Sequence, residues 1–290
     1  MGAQTDRGVA REVNEDAYGL PSAAPELLAA RGYLFAVADG VGGHGNGQEA
    51  SAIVIETLYT QFYGPEEIDL IRAIQLSNMA VRRQALQAST IAYRMSSTLV
   101  ALLVSDTRFQ IAHVGDSRAY LVRQGAITQL TRDHSLVQEQ VQAGLLNATV
   151  ARTHQQKNVI TRAVGGDSTV EVELTAGTDL QPGDSFVLCS DGLTNHVDDT
   201  TITEIVSRYA PEQAAPFLVQ LANQAGGLDN ITVAVIRYAP LAPDHPPHAE
   251  QGAGYQRAWE QSLVWLLLGI GIGGALGVVV TLLYIYFSSR

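Results

Sequence analysis

Residues 34–47 read LFAVADGVGGHGNG. An apolar run, Leu34 to Ala38, ends in Asp39, and five glycines follow within eight residues. Gly40, Gly42 and Gly45 spell G-x-G-x-x-G, and the next stretch, QEASAIVIETLYTQF, carries helical periodicity. Strand, glycine turn and helix are the setting of a dinucleotide-binding loop. That fold requires a parallel strand directly after the helix and an acidic residue about twenty positions on. Here a second helical stretch, about 66–89, follows instead. The order argues against a nucleotide cradle and moves attention from the glycines to Asp39.

Outward from this stretch, short β-branched segments bounded by turn residues predict strands: STLVALLVSD, RFQIAHVGD, AYLVRQ, DSFVLCSD and NITVAVIRY, with a hairpin turn at RQGAIT. Apolar spacing predicts helices over about 48–62, 66–89, 134–143, 201–208 and 211–226. Strands follow strands and helices follow helices, without βαβ alternation. This predicts an α+β fold, antiparallel sheets with helices packed outside.

The chain has 290 residues, of which 46% are hydrophobic and 16% charged, with a net charge of −11. A basic stripe for nucleic acid is absent, so no nucleic-acid partner is expected. An acidic chain suits carboxylates gathered around divalent cations. Lys157 is the only lysine, and it lies in a polar stretch unpromising for Schiff-base or P-loop chemistry. The single cysteine, Cys189, sits in the apolar run FVLCSDG and reads as a buried core residue. No disulfide framework and no signal peptide are evident, which predicts a cytoplasmic main domain.

Three regions are predicted: a globular domain over 1–238, a Pro/Gly/His-rich linker over 239–262, and a membrane-spanning helix over 263–287. The last segment, LVWLLLGIGIGGALGVVVTLLYIYF, holds no charge. As a helix it would reach about 37 Å, against a hydrocarbon core of about 30 Å. Trp259 and Trp265 stand near one end, Tyr284 and Tyr286 near the other, as in an interfacial aromatic belt. Gly269, Gly273 and Gly277 form a small-residue face on which two such helices could dimerise. Arg257 and Arg290 flank the segment one on each side, so charge does not set its orientation. The expectation is a single-pass protein of the cell membrane with its domain in the cytoplasm.

Several strands end in aspartate beside a small residue: Asp39 in VADGVGG, Asp116 in HVGDSR and Asp191 in LCSDGL. Asp229 in GGLDNITV precedes a strand, and Glu15 and Asp16 form an acidic pair in REVNEDAYG. If the strands share a sheet, these carboxylates meet at one sheet edge and raise each other's pKa. A divalent cation relieves the repulsion. Hard oxygen donors without cysteine favour Mg²⁺ or Mn²⁺. Two such cations can activate a bridging water to attack phosphorus. Arg11, four residues before Glu15, could supply the bidentate phosphate clamp.

TDRGVAREVNED, VADGVGGHGNG, SSTLVALLV, HVGDSRAYLVRQG, LCSDGLTNHV and GGLDNITVAVI resemble, in this order, the motifs of the metal-dependent type 2C protein Ser/Thr phosphatases, the PPM family, in its bacterial branch. The likeness covers about 5–238. It implies two packed antiparallel sheets flanked by helices, with metals in the cleft between them. It implies hydrolysis of phosphoserine and phosphothreonine in proteins by a metal-bridged hydroxide, with two Mn²⁺ or Mg²⁺ ions and a third, weaker position. It implies that Asp39 bridges the two ions and that Gly40 lends its carbonyl to one. Asp191 and Asp229 complete the second, supported by Asp16 or its neighbour Glu15, directly or through water. Asp116, with Asp191, matches the third position, and Arg11 matches the phosphate-binding arginine. The stretch of about 132–168 corresponds to a mobile flap that helps select substrates. Phosphoproteins and an opposing Ser/Thr protein kinase are the partners implied. Two departures stand out: Val41 replaces the histidine of animal members, and Leu228 replaces a common proline. His44 is not assumed to take over the missing histidine's role. His113 reads as a strand residue near the site, and His134 as an exposed polar residue at the start of the flap.

Overall fold

The computed structural model describes residues 1–42, 46–87, 95–151, 154–177 and 179–239, all within one compact unit, Met1–Pro240. In chain order the elements are β1 (Gly2–Asp6), β2 (Asp16–Gly19), α1 (Pro25–Arg31), β3 (Tyr33–Gly42), α2 (Asn46–Phe62), α3 (Leu70–Gln87), β4 (Met95–Ser97), β5 (Leu99–Ser105), β6 (Arg108–Val114), β7 (Arg118–Arg123), β8 (Ala126–Gln129), α4 (Leu136–Gln142), α5 (Ala148–Ala151), β9 (Glu173–Gly177), β10 (Ser185–Cys189), α6 (Asp191–Thr194), α7 (Asp199–Arg208), α8 (Pro211–Gln224) and β11 (Ile231–Arg237). One sheet runs β1-β11-β10-β7-β8, the other β2-β3-β5-β6-β9 with β4 added beside β3. The pairings between these neighbours are antiparallel, as the α+β reading requires.

Three apolar layers hold the sheets and helices together. Alternation along each central strand decides which layer a side chain joins. In β3, Leu34, Ala36 and Ala38 face α2 and α3, packing with Val54, Leu58, Ile74 and Val81. The intervening Phe35 and Val37 face the other sheet, where Phe186, Leu188, Ala234 and Ile236 meet them. In β10, Val187 and Cys189 turn the other way, onto Ile202, Val206 and Leu218 of α7 and α8. Strands buried on both faces read as unbroken apolar runs, which is why LFAVA and FVLC were legible. Cys189 is a core residue, as expected.

The strands that sequence patterning missed are short and mostly at sheet edges. β1, β2 and β9 stand at edges, and their sequences GAQTD, DAYG and ELTAG carry no buried large apolar side chain. An edge strand kept short and polar gives no periodic signal. The helix expected over 66–89 begins at Leu70 because Asp69 caps it, its carboxylate accepting the Arg72 N–H at 2.7 Å. The other helices lie within a few residues of their expected bounds.

Among the described residues no helix is long and apolar enough to cross a membrane. The expected linker beyond Ala239 and the expected span 263–287 lie outside the described residues, as does His44.

The layer between the sheets is the one on which their spacing depends. Phe109 and Phe186 meet across it edge-on, with ring centroids 5.0 Å apart. Phe186→Ala should therefore cost about 3–5 kcal/mol of unfolding free energy, measured by urea denaturation. A cost below about 1 kcal/mol would mean that this layer does not hold the sheets.

Candidate metal centre

The acidic residues gather between the two sheets, not at the edge of one. Asp16 opens β2 and stands in register opposite Asp39 on β3 of one sheet, and Asp116 lies in the link from β6 of that sheet to β7 of the other. Asp191 begins α6 directly after β10, and Asp229 precedes β11, both on the other sheet. The expectation of a single shared sheet edge is thus corrected, because the five come from two sheets. The cleft placement implied by the family resemblance agrees with this arrangement. A cleft of about 1040 Å³ is lined by Arg11, Glu15, Asp39, Gly40, Asp116, Asp191 and Asp229 among others. Asp16 is not on its wall; it is buried and reaches the group through Asp39.

Neutral hydrogen bonds fix these residues in place. The Asp39 N–H donates to Thr98 Oγ1 at 3.0 Å, the Thr98 N–H returns to the Asp39 carbonyl at 2.8 Å, and Ser97 Oγ donates to the same carbonyl at 2.9 Å. This explains why SST stands before β5. Asn230 pins the loop that carries Arg11. Its amide nitrogen donates to the carbonyls of Arg7 and Val13, both at 2.9 Å, and its Oδ1 accepts the Glu15 N–H at 2.8 Å. Arg11 NH2 then meets Asp229 Oδ2 at 2.8 Å. Gly40 packs so closely on the next segment that a Cβ would overlap the Gly47 carbonyl, and it lines the cleft beside the carboxylates. Gly115, at φ +99°, turns the chain so that Asp116 enters the cleft. Ser97, Thr98 and Asn230 escaped the sequence reading, since a neutral positioning bond leaves no charge pattern.

Burial and mutual repulsion both press on the carboxyls. Burial first, then Asp16, Asp191 and Asp116, lift Asp39 well above the usual carboxylate range. Burial raises Asp16 to about 7 despite hydrogen bonds from Thr232 and Ser190, with Asp191 and Asp229 adding to the rise. Burial and Asp191 raise Asp116 to about 8. Burial and Asp229 raise Asp191 to about 6, opposed by Asn195. Desolvation also raises Glu15, against Arg11 and the Gly47 N–H. Such a cluster is unstable as free anions and is suited to a cation.

The residues fit a hard divalent ion. Asp16 Oδ2 accepts from Ser190 Oγ at 2.8 Å and Asp191 Oδ2 from Asn195 Nδ2 at 3.0 Å. The other oxygen of each is buried with no hydrogen-bond partner among the described residues. Buried polar atoms rarely stay unpaired, and a metal answers these. Carboxylate and backbone carbonyl oxygens are the donors that Mg²⁺ or Mn²⁺ takes.

A second group, His113, His134 and Glu173, brings its ligand atoms within 4.8 Å of one another. Proximity alone favours this trio over the aspartates; its chemistry does not. The two rings stack at 4.7 Å with planes 16° apart, so their in-plane lone pairs do not converge on one point. Arg132 sits 3.0 Å from Glu173, and Arg162 sits 3.3 Å from His134 Nε2, surroundings that repel a cation. The trio joins the flap root to the cleft wall: the Gly115 N–H donates to His134 Nδ1 at 3.1 Å, and His134 Nε2 pairs with Glu173 at 3.2 Å. His134 is therefore buried, not the exposed polar residue expected, while His113 is the strand residue expected. Burial lowers the pKa of both.

Residues 8–226 match the family model described as Protein phosphatase 2C. The chain is 37% identical over 237 residues to the serine/threonine protein phosphatase PstP of Mycobacterium tuberculosis, covering 80% of this chain and 44% of that protein. It thus spans under half the length of that relative. It is 37% identical over 242 residues to the serine/threonine phosphatase stp of Listeria monocytogenes, covering 80% of this chain and 93% of that one. The crystal structure of M. tuberculosis PstP/Ppp superimposes with a TM-score of 0.73 at 36% identity, covering 82% of this chain and 97% of that chain. A structure of the PstP catalytic domain holding two manganese ions gives 0.68 at 35% identity, with the same coverages of 82% and 97%.

The raised carboxyl pKa values set a pH test on chelated protein. A carboxyl whose folded pKa exceeds its unfolded value binds protons more tightly when folded, so stability falls as pH rises through the shift. The fall begins near the unfolded carboxyl pKa of about 4, and Asp16 and Asp116, at about 7 and 8, carry its last part into neutral and mildly alkaline pH. The depressed histidines act in the opposite sense, but only up to about pH 7. In EDTA, Tm should drop between pH 7 and 8.5, and Asp39→Asn should raise Tm across that range. A Tm that rises with pH there, or an Asp39→Asn variant less stable than wild type, would contradict the account.

Proposed function

The chain belongs to the protein phosphatase 2C family of metal-dependent phosphoric monoester hydrolases; from that membership we propose that it removes phosphate from phosphoserine and phosphothreonine in proteins, and from its uncharged run 263–287 that it does so at the cytoplasmic face of a membrane. Mn²⁺ or Mg²⁺ is the cofactor. The observation that carries the reading is the convergence of Asp39, Asp116, Asp191, Asp229 and Arg11 on one cleft between two sheets.

Asp39 and the Gly40 carbonyl would hold one ion, with Asp39 also reaching a second held by Asp191 and Asp229. Asp16 and Glu15 would support that second ion, and Asp116 with Asp191 would hold a weaker third. When bound, the ions supply a water of lowered pKa and neutralise phosphoryl oxygens. Arg11 orients the phosphate. Its guanidinium lies at the mouth, half-exposed and held by Asp229, so its remaining N–H groups are free to form a bidentate contact. The Ser97, Thr98 and Asn230 bonds hold Asp39 and the Arg11 loop in place against the mutual repulsion of the cleft carboxylates. Catalysis of this kind rests on positioned charge, so fixed geometry matters more than any single proton transfer.

The uncharged run 263–287 supports a single membrane span, with Gly269, Gly273 and Gly277 as a face for helix pairing. Anchoring would confine the phosphatase to substrates at the membrane. Its natural antagonist is a Ser/Thr protein kinase acting on the same substrates.

Mn²⁺-dependent release of phosphate from p-nitrophenyl phosphate and from a phosphothreonine peptide tests the reading. Asp39→Ala and Asp191→Ala should each lower kcat by about a thousandfold or more. Arg11→Ala should lower kcat/KM by about ten- to a hundredfold, mainly through KM. Full activity in either aspartate variant would refute the assignment.

A further inference from the structure

The only lysine of the chain, Lys157, stands on the segment 132–168 that the sequence reading assigned to a flap. Its Nζ donates to Asn195 Oδ1 at 2.7 Å, and Asn195 Nδ2 donates to Asp191 Oδ2 at 3.0 Å. One amide therefore carries a donor chain from the flap to a carboxylate of the cleft. A second cavity of about 590 Å³ under the flap is lined by Asp116, Lys157, Asn158, Asp191 and Asn195 among others. Asp116, Asn158 and Asp191 also line the main cleft. Lys157 thus faces the corner where Asp116 and Asp191 meet.

The other cations of that cavity are already paired. Arg118 is held by Asp133 at 2.6 Å, and Arg132 by Glu173 at 3.0 Å. Lys157 has no carboxylate within ion-pair distance among the described residues, so its charge answers to the acidic corner through Asn195. The flap's attachment does not depend on it. Arg118 grips Asp133 at the first root, the Thr161 N–H donates to the His134 carbonyl at 2.8 Å, and Val164 and Ser97 exchange backbone bonds at 2.8 and 2.9 Å at the second. Lys157 and Asn195 make a separate, breakable contact between these roots.

We propose that Lys157 is a tethered cation that competes with a divalent ion for the Asp116–Asp191 corner, so that docking of the flap at Asn195 and ion binding at that corner oppose one another. This rests on the reading of Asp116 and Asp191 as cation ligands. A lysine ammonium and a divalent ion draw on the same carboxylate charge. Adding the ion removes the field that holds the ammonium and adds repulsion, whatever the effective dielectric. By linkage the effect is reciprocal: removing the ammonium must strengthen the ion. Asn195 carries the coupling, because an amide that donates to a carboxylate accepts more strongly at its oxygen. The ion level in the cell would then set how often the flap leaves the cleft, and with it the room left for a protein substrate.

A single lysine makes the test direct. The full-length chain is treated with acetic anhydride with and without Mn²⁺, and acetylation of Lys157 is followed by mass spectrometry, with the amino terminus as internal control. Mn²⁺ should speed Lys157 acetylation by about fivefold or more. Isothermal titration should show the weakest Mn²⁺ site tightened by a similar factor in Lys157→Gln and unchanged in Lys157→Arg. Mn²⁺ binding and phosphatase activity that persist while Lys157 acetylation is unchanged or slowed would overturn the competition alone. Wild-type protein that neither binds Mn²⁺ nor releases phosphate would overturn the metal-centre reading and the competition with it.

Discussion

The mutual repulsion of Asp16, Asp39, Asp116, Asp191 and Asp229 is the constraint that the rest of the molecule answers to. Four of these carboxyls are pushed far above their ordinary range by burial and by one another. A fold that holds them together must take its stability from elsewhere. Three apolar layers provide it, two between sheet and helices and one between the sheets. The central strands carry side chains into two layers at once, so a strand end cannot retreat without disturbing both. Asp191 and Asp229 flank β10 and β11, Asp116 follows β6, Asp16 opens the edge strand β2, and Asp39 lies within β3 near its end. Rigid strands deliver the charges, and neutral hydrogen bonds from Ser97, Thr98, Ser190 and Asn230 fix the last few ångströms.

The same logic explains the glycines around Asp39. They do not cradle a dinucleotide. Gly40 and Gly47 let two backbone segments approach until no side chain would fit between them. That contact leaves the Gly40 carbonyl next to Asp39 and places Glu15 at the rim. The glycine pattern and the aspartate are parts of one device, in which close backbone approach supplies an extra oxygen ligand where another side chain would not fit.

How far the sequence foretold this follows from what each residue does. β3, β5, β10 and β11 were legible because burial on both faces demands unbroken apolar runs. β1, β2 and β9 were not, since an edge strand owes its pairing to backbone bonds that leave no pattern. The strand-end aspartates and Arg11 were legible because charge beside glycine at the end of an apolar run is unusual. Their convergence from two sheets was not, because patterning along one strand says nothing about which sheet its end meets. His134 looked exposed, and its burial depends on Gly115 and Glu173, far apart in the chain. Lys157 looked chemically idle for the same reason: its partner Asn195 lies 38 positions on.

The central claim is that the cleft aspartates, not the buried histidines, hold the divalent ions. Anomalous diffraction at the manganese edge, from crystals grown with Mn²⁺, decides this most directly. The account predicts strong peaks within coordination distance of Asp39, the Gly40 carbonyl, Asp191 and Asp229, and a weaker peak beside Asp116. Peaks at His113, His134 and Glu173 with none beside Asp39 would contradict it.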